Sequence, residues 1–313
     1  MLSGTFGDIT HTGRIKTYGD GSREIMACSK PVFRQGGWEA RKGASRGKRP
    51  VVEGEQGGDL KRAVRRARSQ VRDLALCNPF THFVTLTLDQ TQVDRYDMAS
   101  ITRKLNAWLS NQVQRRGLIY VLVPERHKDG AVHFHGFFND ALEMVDSGTM
   151  VPPGGGKPRK PRSKAQRAAW AAQGGHVVYN LPGWSLGFTT AMRLYGDYHS
   201  AVAYVCKYIG KDMDQEGAKI GGRWYYSGGA LARPEVEYAD LEWRDLAAEP
   251  GAYLVDVPEA RAVFVILRTK GGEDHGLVSE MEGPVGSPLE TPGRGPGANP
   301  EPGDQDPSAG ISL

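Results

Sequence analysis

The chain is poor in cysteine: Cys28, Cys77 and Cys206 are the only three in 313 residues. They are far apart, odd in number and form no C-x-x-C pair, which excludes a disulfide framework and a thiolate metal knuckle. A reducing compartment fits that usage. No run of 18 or more apolar residues occurs, which excludes a helical membrane span. The opening Met1-Leu2-Ser3-Gly4-Thr5 lacks the charged-then-apolar pattern of a secretion signal, so a cytoplasmic protein is expected. The sequence also has no G-x-x-x-x-G-K-[ST], the phosphate-binding loop of NTPases.

Glycine and proline, by contrast, are plentiful, at 41 and 19 residues, and point to loops and tails. Charge is placed unevenly. The net charge is +4, but residues 270–313 hold eight acidic residues against Lys270 and Arg294, which leaves +10 on residues 1–269. A basic body suggests a polyanionic partner. Residues 269–313 are acidic, rich in Pro and Gly, and without apolar periodicity, and are expected to be a disordered tail.

Residues 1–58 read as an N-terminal extension: a hairpin around Arg14–Phe33 turning at Asp20-Gly21, then a Gly/Arg-rich link over Gly36–Gly58. The main domain is expected over 59–268. Leu60–Leu76 has apolar residues at 60, 63, 64, 67, 71, 74 and 75, which predicts an amphipathic helix with Arg and Lys on its other face. Phe83–Leu88 alternates as a strand, with Thr85 and Thr87 on one face and Leu86 and Leu88 on the other. Asp97–Arg115 predicts a second helix, striped by Ile101, Leu105, Trp108, Leu109 and Val113. Residues 143–175 read as an inserted loop with a basic run from Lys157 to Arg167. That run is equally a phosphate grip or a solvated loop. Tyr198–Met213 predicts a further helix.

The chemistry concentrates in Pro124-Glu125-Arg126-His127-Lys128-Asp129-Gly130-Ala131-Val132-His133-Phe134-His135-Gly136. His133 and His135 are two apart on a strand, so both imidazoles share a face. The position of Glu125 depends on the loop. A two-residue loop, Asp129-Gly130, pairs 125 with 134 and puts the carboxylate on the wrong face. A three-residue loop, with Gly130 left-handed, pairs 125 with 133 and gathers one carboxylate and two imidazoles. Such a set leaves coordination positions open and suits a divalent metal acting as Lewis acid. His127 has the same parity and is a reserve ligand or a group that orients one. A His-x-His pair on its own is as readily a hydrogen-bonded surface feature.

In Tyr204-Val205-Cys206-Lys207-Tyr208-Ile209-Gly210-Lys211, positions 204, 207, 208 and 211 fall on one helical stripe. Two phenols and two ammonium groups then share a face. A phenol has a pKa near 10 and needs a nearby cation or metal to act as a nucleophile. Without such help the same stripe is a packing face with snorkelling lysines.

Together these segments resemble the HUH endonucleases, whose His-hydrophobic-His pair is matched by His133-Phe134-His135. They are similar, more closely, to the rolling-circle replication initiators of plasmids and single-stranded DNA phages. Phe83–Leu88, Val132–Gly136 and Tyr204–Lys211 stand in the order of the three motifs of those initiators, the last resembling the two-tyrosine, gene A-like branch. The resemblance implies an α+β, RRM-like domain with a central antiparallel sheet of about five strands. It implies nicking and rejoining of single-stranded or hairpin origin DNA, with a 5′-phosphotyrosine intermediate and a free 3′-hydroxyl primer. It further implies Mg²⁺ or Mn²⁺ on His133, His135 and Glu125, catalytic tyrosines at Tyr204 and Tyr208, and Lys207 and Lys211 as their partners. Host helicase and polymerase would complete replication. A mobilisation relaxase or transposase would use the same chemistry. A non-catalytic regulator that binds single-stranded DNA would need the basic face but neither the ligand set nor the tyrosine stripe.

Overall fold

A computed structural model describes residues 9–35, 56–127, 129–211 and 219–270. The expected acidic tail (271–313) and most of the Gly/Arg-rich link (36–55) lie outside the described residues.

The N-terminal strands are β1 (Ile9–His11), β2 (Gly13–Thr17), β3 (Arg23–Cys28) and β4 (Phe33–Gln35). They are followed by α1 (Gln56–Cys77), β5 (His82–Leu88), α2 (Met98–Arg116), β6 (Tyr120–Arg126) and β7 (Val132–Phe138). Next come β8 (Val145–Val151), α3 (Lys164–Ala172), β9 (His176–Asn180), β10 (Gly187–Arg193) and α4 (Tyr198–Tyr208). The chain closes with β11 (Tyr226–Gly228), β12 (Glu235–Ala239), α5 (Trp243–Ala247), β13 (Tyr253–Val257) and β14 (Ala262–Thr269). The fold is α+β with antiparallel sheets, and no helix among the described residues is long and apolar enough to cross a membrane.

Two compact units result. In one, five strands lie in the order β12-β2-β3-β14-β13. The β2–β3 hairpin turns where the sequence places Asp20-Gly21: Gly21 has φ 80, and the Asp20 carboxylate accepts the Ser22 N–H at 2.9 Å. Glu24 on β3 is buried, and its charge is matched across the sheet by Arg268 at 3.0 Å, Arg14 at 3.6 Å and Lys16 at 3.7 Å.

The other unit is built on a seven-stranded antiparallel sheet in the order β11-β6-β7-β5-β10-β9-β8. This is larger than the expected sheet of about five. Part of the difference lies in residues 143–175, which hold β8 and α3 instead of a plain loop, with β8 paired to β9 at the sheet edge. β8 has a bulge between Asp146 and Thr149 and buries only Met150 and Val151 fully, so it lacks strand alternation in sequence.

Alternation elsewhere decides what covers each face. Val84, Leu86 and Leu88 of β5 and Phe134 and Phe138 of β7 join Ile101, Leu105 and Leu109 of α2 in one buried cluster. Full burial of each such side chain contributes about 1.5–3 kcal/mol. The opposite face shows Phe83, His135 and Phe137 to α4 through contacts with Tyr204, Tyr208 and Tyr198. α1 backs α4, where the Tyr198 hydroxyl donates to the Ala75 carbonyl at 2.8 Å.

His82 opens β5 and is buried, with Nδ1 2.8 Å from the Thr81 hydroxyl. Burial lowers its pKa below 6.5, Asp140 opposes that shift and Arg193 adds to it. The unfolded chain therefore binds the proton more readily, and the stability held above the unfolded pKa is lost as pH falls through the folded one. Urea titrations from pH 7.5 to 5 are expected to show falling stability in the wild type and a shallower fall in His82→Gln. An equal slope in both would remove His82 as a source.

Candidate metal centre and tyrosine pair

The β6–β7 hairpin takes the three-residue loop. The His127 N–H donates to the Ala131 carbonyl at 2.8 Å, the Gly130 N–H to the His127 carbonyl at 2.9 Å, and Gly130 has φ 84. Glu125 is thereby paired with His133, and Val123 with His135. Because side chains alternate along strands, Glu125, His133 and His135 all project to the α4 face. Gly136 lets the two strands close up: a Cβ there would sit 1.9 Å from the Val121 carbonyl oxygen.

The three side chains meet, with their ligand atoms within 4.8 Å of one another. Nε2 of His133 and Nε2 of His135 are 3.0 and 2.9 Å from the same Glu125 oxygen, Oε2. Each imidazole is held from behind. Thr85 Oγ1 is 3.0 Å from His135 Nδ1, and His127 Nε2 contacts His133 Nδ1. Partners on the outer nitrogens fix ring orientation and leave both Nε2 atoms facing the centre. The sequence does not reveal Thr85 in this role, since its pairing with His135 comes from the β5–β7 register.

The electrostatics suit a ligand set. Burial alone would raise the Glu125 pKa, but hydrogen bonds with His133, His135 and Lys211 outweigh it and hold the carboxyl well below the usual carboxylate range. Burial lowers the pKa of His133, against the pull of Glu125, and also lowers that of His127. A carboxylate and neutral imidazoles on one buried face are the protonation states that metal binding requires. Mixed O and N donors fit a divalent ion such as Mg²⁺ or Mn²⁺.

α4 sets the tyrosines beside this cluster. Asp197 caps the helix, accepting from the His199 N–H at 3.3 Å, and Ala201, Val202, Val205 and Cys206 form its buried face. The Tyr208 ring stacks on His135 at 4.6 Å between centroids. Tyr204 meets Phe83 edge-on at 5.9 Å. The Tyr208 hydroxyl donates to that of Tyr204. Both phenols have pKa values above the ordinary, chiefly through burial, and Tyr208 is raised further by its bond to Tyr204. A cavity of about 140 Å³ adjoins Tyr204, lined by Leu194, Tyr195, Gly196, Asp197, Ser200 and Ala201.

The helix ends at Tyr208, short of the expected Met213, which lies outside the described residues. Gly210 has φ 78, which ends the helix as only glycine does cheaply, and its own Cβ would come 2.8 Å from Val64. Arg68 of α1 donates from Nε and Nη2 to the freed Ile209 carbonyl, at 3.1 and 3.0 Å. Lys211 therefore reaches the centre from a turn and not from a helical stripe. Its ammonium pairs with Glu125 Oε1 and lies 5.8 Å from the Tyr208 ring centroid. Lys207 stays on the last turn of α4, half-buried, and makes no hydrogen bond or ion pair among the described residues.

A Mn²⁺ titration followed by thermal melting checks the ligand set. Metal at 100 times its Kd is expected to add about 2.7 kcal/mol to stability. His133→Ala and His135→Ala should each lose that gain. A wild-type melting temperature that ignores the metal would rule the centre out.

The family model of the replication-associated protein ORF2 matches residues 81–213. Comparison with curated proteins and with solved structures gives no match. The matched segment contains Glu125, His133, His135, Tyr204, Lys207, Tyr208 and Lys211. The chain is thus similar, over these residues, to replication-associated proteins, and the match supports the role of a rolling-circle replication initiator.

Proposed function

We propose that the protein initiates rolling-circle replication by nicking and rejoining single-stranded DNA at an origin through tyrosine transesterification. One observation carries the reading: a buried Glu/His/His cluster with a phenol stacked on one of its imidazoles and a second phenol bonded to the first.

A tyrosine oxygen attacks the scissile phosphorus. The bond from phosphorus to the 3′ oxygen breaks, the phenol gives up its proton, and the departing 3′ oxygen gains one. The products are a 5′-phosphotyrosine and a free 3′-hydroxyl, which primes synthesis by a host polymerase. Rejoining reverses the exchange, and two tyrosines let one enzyme hold one strand end while receiving another. A divalent ion held by Glu125, His133 and His135 supplies Lewis-acid stabilisation of the charge that develops on the phosphate. Lys211 holds Glu125 in its charged form and supplies positive charge beside Tyr208. Lys207, one turn along from Tyr204, adds to that field. The cavity beside Tyr204 offers room for a nucleotide adjoining the scissile phosphate.

The test is cleavage of a single-stranded oligonucleotide carrying the origin from the gene's own replicon, with Mn²⁺, on a denaturing gel. Wild type is expected to form a protein–DNA adduct that EDTA prevents. Tyr204→Phe with Tyr208→Phe should abolish the adduct, and the single variants identify the tyrosine that cuts first. Tight binding that ignores metal, with no adduct, would favour the non-catalytic regulator.

A further inference from the structure

We infer that the segment 157–164, between β8 and α3, is a built clamp for the phosphates of double-stranded DNA, separate from the tyrosine centre. The inference rests on DNA being the substrate, as proposed above.

Residues 157–167 read Lys-Pro-Arg-Lys-Pro-Arg-Ser-Lys-Ala-Gln-Arg, with six cations and no acid. A solvated loop would leave such a run unanchored. This one is fixed. Arg159 forms a two-bond bridge to Met150 of β8, with N–O distances of 2.9 and 3.0 Å, and Met150 is fully buried. The Arg159 guanidinium lies over the Trp170 ring at 5.1 Å. Gln166 accepts the Arg162 N–H at 2.6 Å, and Ser163 caps α3. Pro158 and Pro161 restrict the backbone between these anchors.

The anchored backbone leaves the charges outward. Lys157, Lys160, Arg162 and Lys164 are exposed, and their side chains make no hydrogen bond or ion pair among the described residues. Only Arg167 is spent, on Asp146. Lys164 stands in the first turn of α3, where the helix dipole disfavours a cation. An anion bound there would relieve both the dipole and the mutual repulsion of the run. The span from 157 to 164, at ~3.1 Å per residue in an extended Pro-rich chain, is roughly 20 Å. A duplex presents one charge per ~1.7 Å over that length. Single-strand binders add free aromatic platforms. Here the run holds no aromatic residue, and the Trp170 ring is covered by Arg159. The surface therefore fits a duplex backbone.

The full chain and the variant K157Q/K160Q/R162Q/K164Q are compared for binding to a 30-bp duplex of arbitrary sequence and to a dT30 strand, by anisotropy from 50 to 200 mM KCl. Each lost duplex contact removes ~0.9 from the slope of log affinity against log salt. The variant should therefore lose about 3 in slope and roughly tenfold or more in duplex affinity, with little change on dT30. The Arg-for-Lys variant K157R/K160R/K164R should keep the wild-type slope, and it decides the matter if the glutamine variant fails to fold. An unchanged duplex slope, or an equal loss on both DNAs, overturns the clamp. Arbitrary duplex separates this from the nicking reading. Adduct formation that persists with an unchanged slope sinks the clamp alone, and a lost slope without any adduct in the wild type sinks the nicking alone.

Discussion

The pairing of Glu125 with His133 across the β6–β7 hairpin is the constraint on which the centre depends. Strand side chains alternate with a period of two, so a slip of one residue would send the carboxylate into the α2 core and leave the imidazoles facing α4 alone. Gly130 in its left-handed conformation holds the loop at three residues and thereby fixes the register. A carboxylate buried among phenyl and phenol rings is costly unless it is bonded on both oxygens. Both imidazoles meet one oxygen and Lys211 meets the other, so the charge is compensated in place.

The route by which Lys211 arrives shows how backbone and charge cooperate. A continuous helix would carry residue 211 about 4.5 Å further along the axis from Tyr208. The left-handed Gly210 ends the helix instead, and Arg68 satisfies the carbonyl this frees. Helix termination, a capping arginine on a second helix and an ion pair on a strand thus form one connected device. The amphipathic pattern of α1, which packs Val64 under Gly210 while presenting Arg68, is part of the centre's architecture although it touches no ligand.

Local periodicity made much of this legible. The α2 stripe, the alternation of β5 and the parity of His133 and His135 each follow from spacing within one element, and the structure has all three. Thr85 behind His135 was not legible, because it depends on which strand lies beside which. The same limit hid the union of β2 and β3 with β12, β13 and β14, whose partners are more than 200 residues apart. β8 escaped because a bulged edge strand buries too little to alternate. α3 did carry a signal, Ser163 followed by Gln166, the start pattern of a capped helix, within a run dominated by charge.

The Glu125–Lys211 pair is asymmetric in a way that bears on how the centre accepts a phosphate. The carboxylate side chain is 9% exposed and the lysine 52%. If the pair opens, the carboxylate stays in a site that water barely reaches, whereas the ammonium rests on a turn beside solvent. The acid is therefore the fixed member and the base the movable one. A phosphodiester entering beside Tyr208 competes for an ammonium that is already near its path and costs little to redirect. The two imidazoles remain on the other carboxylate oxygen throughout, so the geometry fixed by the hairpin survives the exchange. Fixing the acid on a sheet and the base on a turn gives one ion pair two uses: it stabilises the empty site, and it lends its cation to the substrate.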